Sequence, residues 1–242
     1  MTARLFGVLS LVACLLSSPP ASASQVHANL LQDLRLVLSG SLGDFYLLYG
    51  VDADPSFVQV LGLRLQRGEK LLQQLDAARP PGMLEAWQRY RALLEGSSAE
   101  IRQGHVPDGS SVAAVLELNR RLLSDCDSLA PPSAGLAPAE HLALRLQYLT
   151  TDYIAYSIGA NALGGDSLAI DEQARSFAAQ LQQLLHQATP GRERQRRLQV
   201  ISRKWQYIEP ALLGYQQRSV PSLMRRYSTS IIGEQSLLAS AG

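Results

Sequence analysis

From Leu31 to Leu238 the chain repeats one pattern, apolar residues at steps of three and four, in eight consecutive stretches. Such steps keep side chains on one face of a helix, whereas a half-buried strand needs alternation by two. No sustained period-two run appears. The chain is therefore expected to be all-α. The first stripe is Leu31, Leu34, Leu38, Leu42, Phe45 and Tyr49, on a helix from about His27 to Tyr49. Phe57, Leu61, Leu65, Leu72 and Leu75 make the second, and Met83, Trp87, Tyr90, Leu94 and Ile101 the third. Val112, Val115, Asn119, Leu122, Cys126 and Leu129 make the fourth. Its one amide, Asn119, reads as a buried polar residue that fixes helix register.

Turn chemistry punctuates the stripes. Asp54-Pro55 supplies an N-cap and a first helical proline, Pro80-Pro81-Gly82 stops the second helix, and Ser110 or Ser111 is placed to cap the fourth. Pro131 to Pro138 is the most linker-like stretch and lies near the middle of the chain. Beyond it the pattern begins again. Leu142, Leu146, Leu149, Tyr153, Tyr156 and Leu163 end at Gly164-Gly165, and Ile170, Ala174, Phe177, Leu181 and Leu184 end near Pro190-Gly191. The seventh stripe is Leu198, Ile201, Trp205, Ile208, Leu212 and Tyr215; the eighth opens at Pro221 and carries Met224, Tyr227, Ile231 and Leu238. Pro210 interrupts the seventh, where a missing N–H predicts a kink or hinge, or a division into two shorter helices.

The halves echo each other in order. Asp44-Phe45 matches Asp152-Tyr153, Leu72-Gln73-Gln74-Leu75 matches Leu181-Gln182-Gln183-Leu184, Trp87-Gln88 matches Trp205-Gln206, and Val106-Pro107 matches Val220-Pro221. The expected architecture is two tandem antiparallel four-helix bundles, an internal duplication, over 24–130 and 139–242, joined by a linker at 131–138.

Residues 1–23 read as a signal peptide. Arg4 heads an apolar run from Leu5 to Leu16, Ser17 to Pro20 break it, and Ala21-Ser22-Ala23 fits the cleavage rule. The run is shorter than the roughly 20 residues that span a bilayer. Leu11-Val12-Ala13-Cys14 offers a second reading, a lipobox that would anchor the chain at Cys14. Either way the expected compartment is periplasmic or secreted, with no transmembrane span.

A net charge of +1 gives no electrostatic case for nucleic acid. Basic residues are mostly arginine, with Lys70 and Lys204 the only lysines, as in GC-rich bacterial sequences. Cys126 lies on an apolar seam and reads as a buried thiol. No phosphate loop, nucleophile elbow or metal-ligand spacing occurs, and the four histidines are scattered. The expectation is a protein that is not an enzyme and holds no metal or cofactor. Polar residues inside the first and fifth helices are the ligand-binding candidates: Arg35, Ser39 and Asp44, then Arg145, Thr151 and Asp152, with Thr150 beside them. An arginine on a bundle helix can hold a small oxyanion through two parallel N–H donors, or can run along the apolar flank with its head in water.

Leu34-Arg35-Leu36-Val37-Leu38-Ser39 through Asp44-Phe45-Tyr46-Leu47-Leu48 resembles the opening helix of the PilJ/NarX-like sensory family. That family comprises the N-terminal domains of type IV pilus methyl-accepting chemotaxis transducers and of nitrate/nitrite sensor kinases. The resemblance implies an extracytoplasmic four-helix bundle that binds a small ligand or another protein, with Arg35 as a ligand contact. Members carry a second arginine where this chain has Gly40-Ser41, and Arg145 to Ile154 gives a fainter echo. The expected function is an exported, non-catalytic sensory or ligand-binding accessory protein read by a membrane or envelope partner. The rival expectation is a periplasmic adaptor without a small-molecule site.

Overall fold

A computed structural model of the chain describes residues 21–51, 54–75, 79–132, 137–160, 170–189, 191–217 and 219–240. Most of the expected signal peptide, Cys14, the centre of the linker and the Gly164-Gly165 stop lie outside the described residues. All regular structure among those described is helical: α1 (Ala21–Gly50), α2 (Pro55–Leu75), α3 (Met83–Arg102), α4 (Gly109–Leu129), α5 (Pro138–Ser157), α6 (Ile170–Gln187), α7 (Glu193–Leu213) and α8 (Pro221–Ser240). No described helix is long and apolar enough to cross a membrane.

Local chemistry accounts for the helix starts. Pro55, Pro138 and Pro221 each open a helix, where the absent N–H has no intrahelical partner to lose. Asp54 accepts from the Ser56 backbone N–H at 2.8 Å. The fourth helix departs from expectation, because its cap is Asp108 rather than a serine. Asp108 accepts from the Ser111 N–H at 2.9 Å and from the Ser110 hydroxyl at 2.5 Å, bonds that pull its carboxyl down to about 2. Helix α1 also begins earlier than the apolar stripe, at Ala21, because nothing in Ala21-Ser22-Ala23-Ser24 opposes helix.

The helices differ in how much of their circumference is covered. Outer helix α6 buries a single stripe of Ile170, Ala174, Phe177, Leu181 and Leu184. By contrast α5 buries eleven residues on several faces, among them Leu142, Ala143, Leu144, Gln147 and Thr151. Helix α1 is buried almost without interruption from Val37 to Leu48. The contact pattern explains this: α1 packs on α2, α3, α4 and α5, and α5 packs on α1, α6 and α8. Helices α2 and α3, α3 and α4, α6 and α7, and α7 and α8 complete the main pairings.

Glycine permits the closest approach between the two inner helices. A Cβ added at Gly43 would meet Thr151 Oγ1 at 3.1 Å, and one at Gly50 would meet Ile158 at 2.6 Å. Leu38, Trp87, Tyr153 and Trp205 are all buried, so the stripes form the interior. Asn119 is buried too, and donates to the Leu38 carbonyl and to Tyr90 Oη, each at 3.0 Å. That bond ties α4 to α1 and α3, and it fits the register role read from the sequence.

Candidate functional site

Because α1 and α5 are covered on most sides, their polar residues need partners from other helices. Arg35, only 1% exposed, donates from Nε to Asp127 Oδ1 at 3.0 Å and from Nη2 to the Cys126 carbonyl at 3.0 Å. Nη2 also donates to the Ala130 carbonyl. Those carbonyls belong to the C-terminal end of α4, where unpaired acceptors and the helix dipole favour a cation. Arg35 therefore fastens α1 to the end of α4, and its head is buried rather than in water.

Ser39 and Thr151 meet at the contact between α1 and α5. Their hydroxyls lie 3.1 Å apart, Thr151 Oγ1 donates to the Ser39 carbonyl at 2.9 Å, and Gln147 Nε2 donates to Thr151 Oγ1 at 3.2 Å. Asp44 is 1% exposed and takes two arginines. Arg64 of α2 donates from Nε to Oδ2 at 2.9 Å, and Arg225 of α8 donates from Nε to Oδ1 at 2.5 Å. Gly40 makes the first pair possible, since a Cβ there would meet the Arg64 guanidinium at 2.2 Å.

The other candidates lie elsewhere. Arg145 donates to Ser176 Oγ on α6 at 2.9 Å, and Asp152 accepts from Gln173 Nε2 on α6 at 3.4 Å. Burial pushes the Asp152 carboxyl up to about 6, against the lowering effect of the Gln173 bond. Pro210 is exposed and sits in the final turn of α7, which stays helical to Leu213. The structure thus brings Ser39 and Thr151 together between α1 and α5, and sets Asp44 between α2 and α8. Arg35 goes to α4, and Arg145 and Asp152 go to α6.

Asp44 lies at one end of a groove whose floor is α1 and α5 and whose walls are α2 and α8. One section, about 300 Å³, is lined by Gln32, Asp33, Arg67, Glu140, Ala143 and Gln235 among others. A second, about 270 Å³, is lined by Leu36, Val37, Val60, Leu63 and Ile232 and shares Asp33, Leu36, Arg67 and Ser236 with the first. The shared residues make the two sections continuous. At the far end the groove narrows to about 10 Å³ beside Asp44, Arg64, Thr150 and Arg225, room for one water. Asp33 and Arg67 pair at 2.7 Å across the junction of the two wider sections.

Two buried amides lie along the polar section. Gln32, 4% exposed, donates from Nε2 to the Glu140 carbonyl at 2.8 Å, which fixes the orientation of its amide. Its Oε1 is buried with no hydrogen-bond partner. Gln235 is 1% exposed, and neither its Oε1 nor its Nε2 has a partner. Buried amide atoms normally find one, since an unmet group costs about 1–3 kcal/mol.

Sequence reasoning passed over both glutamines, although a signal was present. Gln235 stands four residues after Ile231 and three before Leu238, on the apolar stripe of α8. Gln32 belongs with Ala28, Arg35 and Ser39 to a second helical face of α1 that is wholly buried. Among the described residues, no cluster of three or more His, Cys, Asp and Glu side chains is arranged to hold a metal ion. Comparison with protein families, with curated proteins and with solved structures finds no match.

Proposed function

We propose that the chain is an exported, non-catalytic ligand-binding accessory protein whose small-molecule site is the groove over α1 and α5. The observation that carries this reading is the groove itself, of ligand size, with Gln235 in its lining and neither polar atom of that buried carboxamide partnered. A ligand that draws the Gln235 amide into the groove gives its polar atoms the partners they lack in the free protein. The walls suit a sensory role, because α2 and α8 meet at the narrow end, where Asp44 takes both Arg64 and Arg225 and the Arg225 guanidinium lies over the Phe57 ring at 5.6 Å. A ligand seated between them changes the balance between two wall spacings, provided it binds one more tightly than the other. A membrane or envelope partner then reads the wall positions.

In the same reading the architecture is two tandem four-helix bundles, 24–130 and 139–242, joined face to face through α1 and α5. Matching roles in the two halves support a duplication. Phe45 and Tyr153 are both buried, and the aspartates before them both reach the next helix of their own half, Arg64 and Gln173. Trp87 lies against Gly68 of α2, and Trp205 lies against Phe177 of α6 with ring centroids 4.3 Å apart. The likeness of Leu34 to Leu48 to the PilJ/NarX-like opening helix agrees with the same function, with the ligand in the groove rather than on Arg35.

A thermal-shift panel of amino acids, amides, sugars and oxyanions, run on wild type and Gln235→Leu, tests the proposal. At least one compound should raise the melting temperature of wild type and not of the variant. A panel without such a compound, with an envelope protein co-purifying, supports the adaptor instead.

A further inference from the structure

Resting on the groove reading, we infer that its ligand is a medium-chain aliphatic carboxylate, held by Arg64 with its chain along the apolar section. Arg64 lines both that section and the narrow end, so it stands where the two meet. Its guanidinium lies over Gly40, and its Nε is committed to Asp44. Among the described residues, nothing accepts from Nη1 or Nη2, and neither nitrogen is sealed from water. A carboxylate takes such a pair of donors in bidentate fashion. Charge points the same way. Asp44 carries one negative charge and receives both Arg64 and Arg225, and no other described acidic side chain pairs with either. The cluster therefore holds one positive charge in excess, on arginines that are 19% and 15% exposed. An uncompensated charge in that position is costly, and a ligand carboxylate offsets it. An ammonium would add to the excess, and a neutral headgroup would leave it unmet.

The chain follows from the walls. Leu36, Val60 and Ile232 are half-buried and Leu63 is 59% exposed, so the section presents apolar surface to whatever enters it. It ends at the Asp33–Arg67 pair. From Gly40, under Arg64, back to Asp33 the axis of α1 advances about 10 Å. A zigzag of about eight carbons, with bonds of about 1.5 Å, has that length. Each methylene that leaves water along it is worth about fourfold in affinity. A straight chain therefore fills the section with its carboxylate on Arg64, whereas a short branched body leaves the Asp33 end of the wall uncovered.

Isothermal titration of the full chain with octanoate tests the inference, against octanol, octylamine, butanoate and N-acetyl-leucine. Octanoate should bind about tenfold or more tightly than octanol, which lacks the charge, and than butanoate, which lacks the chain. Octylamine should bind least, and N-acetyl-leucine more weakly than octanoate. Arg64→Gln, shown to be folded by circular dichroism, should bring octanoate down to the level of octanol. Leu63→Glu, a second variant, changes an exposed residue and leaves the Asp44 ion pairs in place. It should weaken octanoate about tenfold and strengthen octylamine. Octanoate that binds no better than octanol, or equally well to folded Arg64→Gln and to Leu63→Glu, overturns the assignment. Tighter binding of N-acetyl-leucine than of octanoate also overturns it, because the length argument then fails. If another compound of the thermal-shift panel then shows dependence on Gln235, the groove reading stands without its carboxylate; if none does, both fall.

Discussion

Replacing Gln235 by leucine should make the free protein more stable. The side chain is 1% exposed, and it lies on the stripe of α8 between Ile231 and Leu238, both buried. Its two amide atoms meet no partner, so the wild type carries a desolvation cost of about 1–3 kcal/mol that leucine does not. Leucine is close in volume and adds apolar burial, so a gain of about 2 kcal/mol is expected. For a chain of this size about 2–4 °C of melting temperature accompanies each kcal/mol. Urea unfolding followed by far-UV circular dichroism reads the change as a higher midpoint at constant slope. Gln147→Leu is the contrast, because Gln147 donates to Thr151 and its removal should cost about 1 kcal/mol. If Gln235→Leu lowers the midpoint as Gln147→Leu does, Gln235 is already satisfied within the folded chain and the argument for a ligand loses its footing.

Asp44→Asn should destabilise by about 3–5 kcal/mol in the same assay, since it leaves the poorly exposed cations of Arg64 and Arg225 facing a neutral amide. Asp152 sets a pH dependence. Its folded carboxyl titrates near 6, above the ordinary 3.8, so the folded state holds the proton more tightly and stability is lost as pH rises from about 4 through 6. The loss is on the order of 1–3 kcal/mol. Asp152→Asn should therefore gain on wild type as pH rises over that window, and parallel curves would count against burial as the cause. Within α2, Gly68→Ala should cost about 1–3 kcal/mol, because its Cβ would meet Trp87 at 2.2 Å, whereas Gly62→Ala, facing open space, should gain up to about 1 kcal/mol. Cys126 is buried, and its thiol is pushed up to about 12 by that burial, so a thiol reagent should label it only on unfolding.

What the sequence made legible is what repeats locally. Helix starts at Pro55 and Pro221, the buried tryptophans and the Asn119 lock all follow from spacing within a single helix, whereas Pro138, read as the end of the linker, opens α5. Which helix meets which is not written in any period. Arg225 lies 181 positions from Asp44, and Gln32 lies 108 from Glu140, so nothing local connects them. Arg35 shows the same gap, because a polar residue on an apolar helix reads alike whether it binds a ligand or the end of α4. Asp44 and Thr150 read as candidates, and Gln235 was also within reach, since an amide on the stripe of α8 carries the same signal that identified Asn119.

The most direct test is to follow side-chain amide resonances by two-dimensional NMR while a compound selected by the thermal-shift panel is titrated into isotopically labelled protein. The NH₂ signals of Gln235 and Gln32 should move, saturably and together. That of Asn119, whose bonds lie inside the packed helices, should stay still. Movement of Asn119 with Gln235 silent, or no movement of any of the three, would contradict a ligand site at this groove.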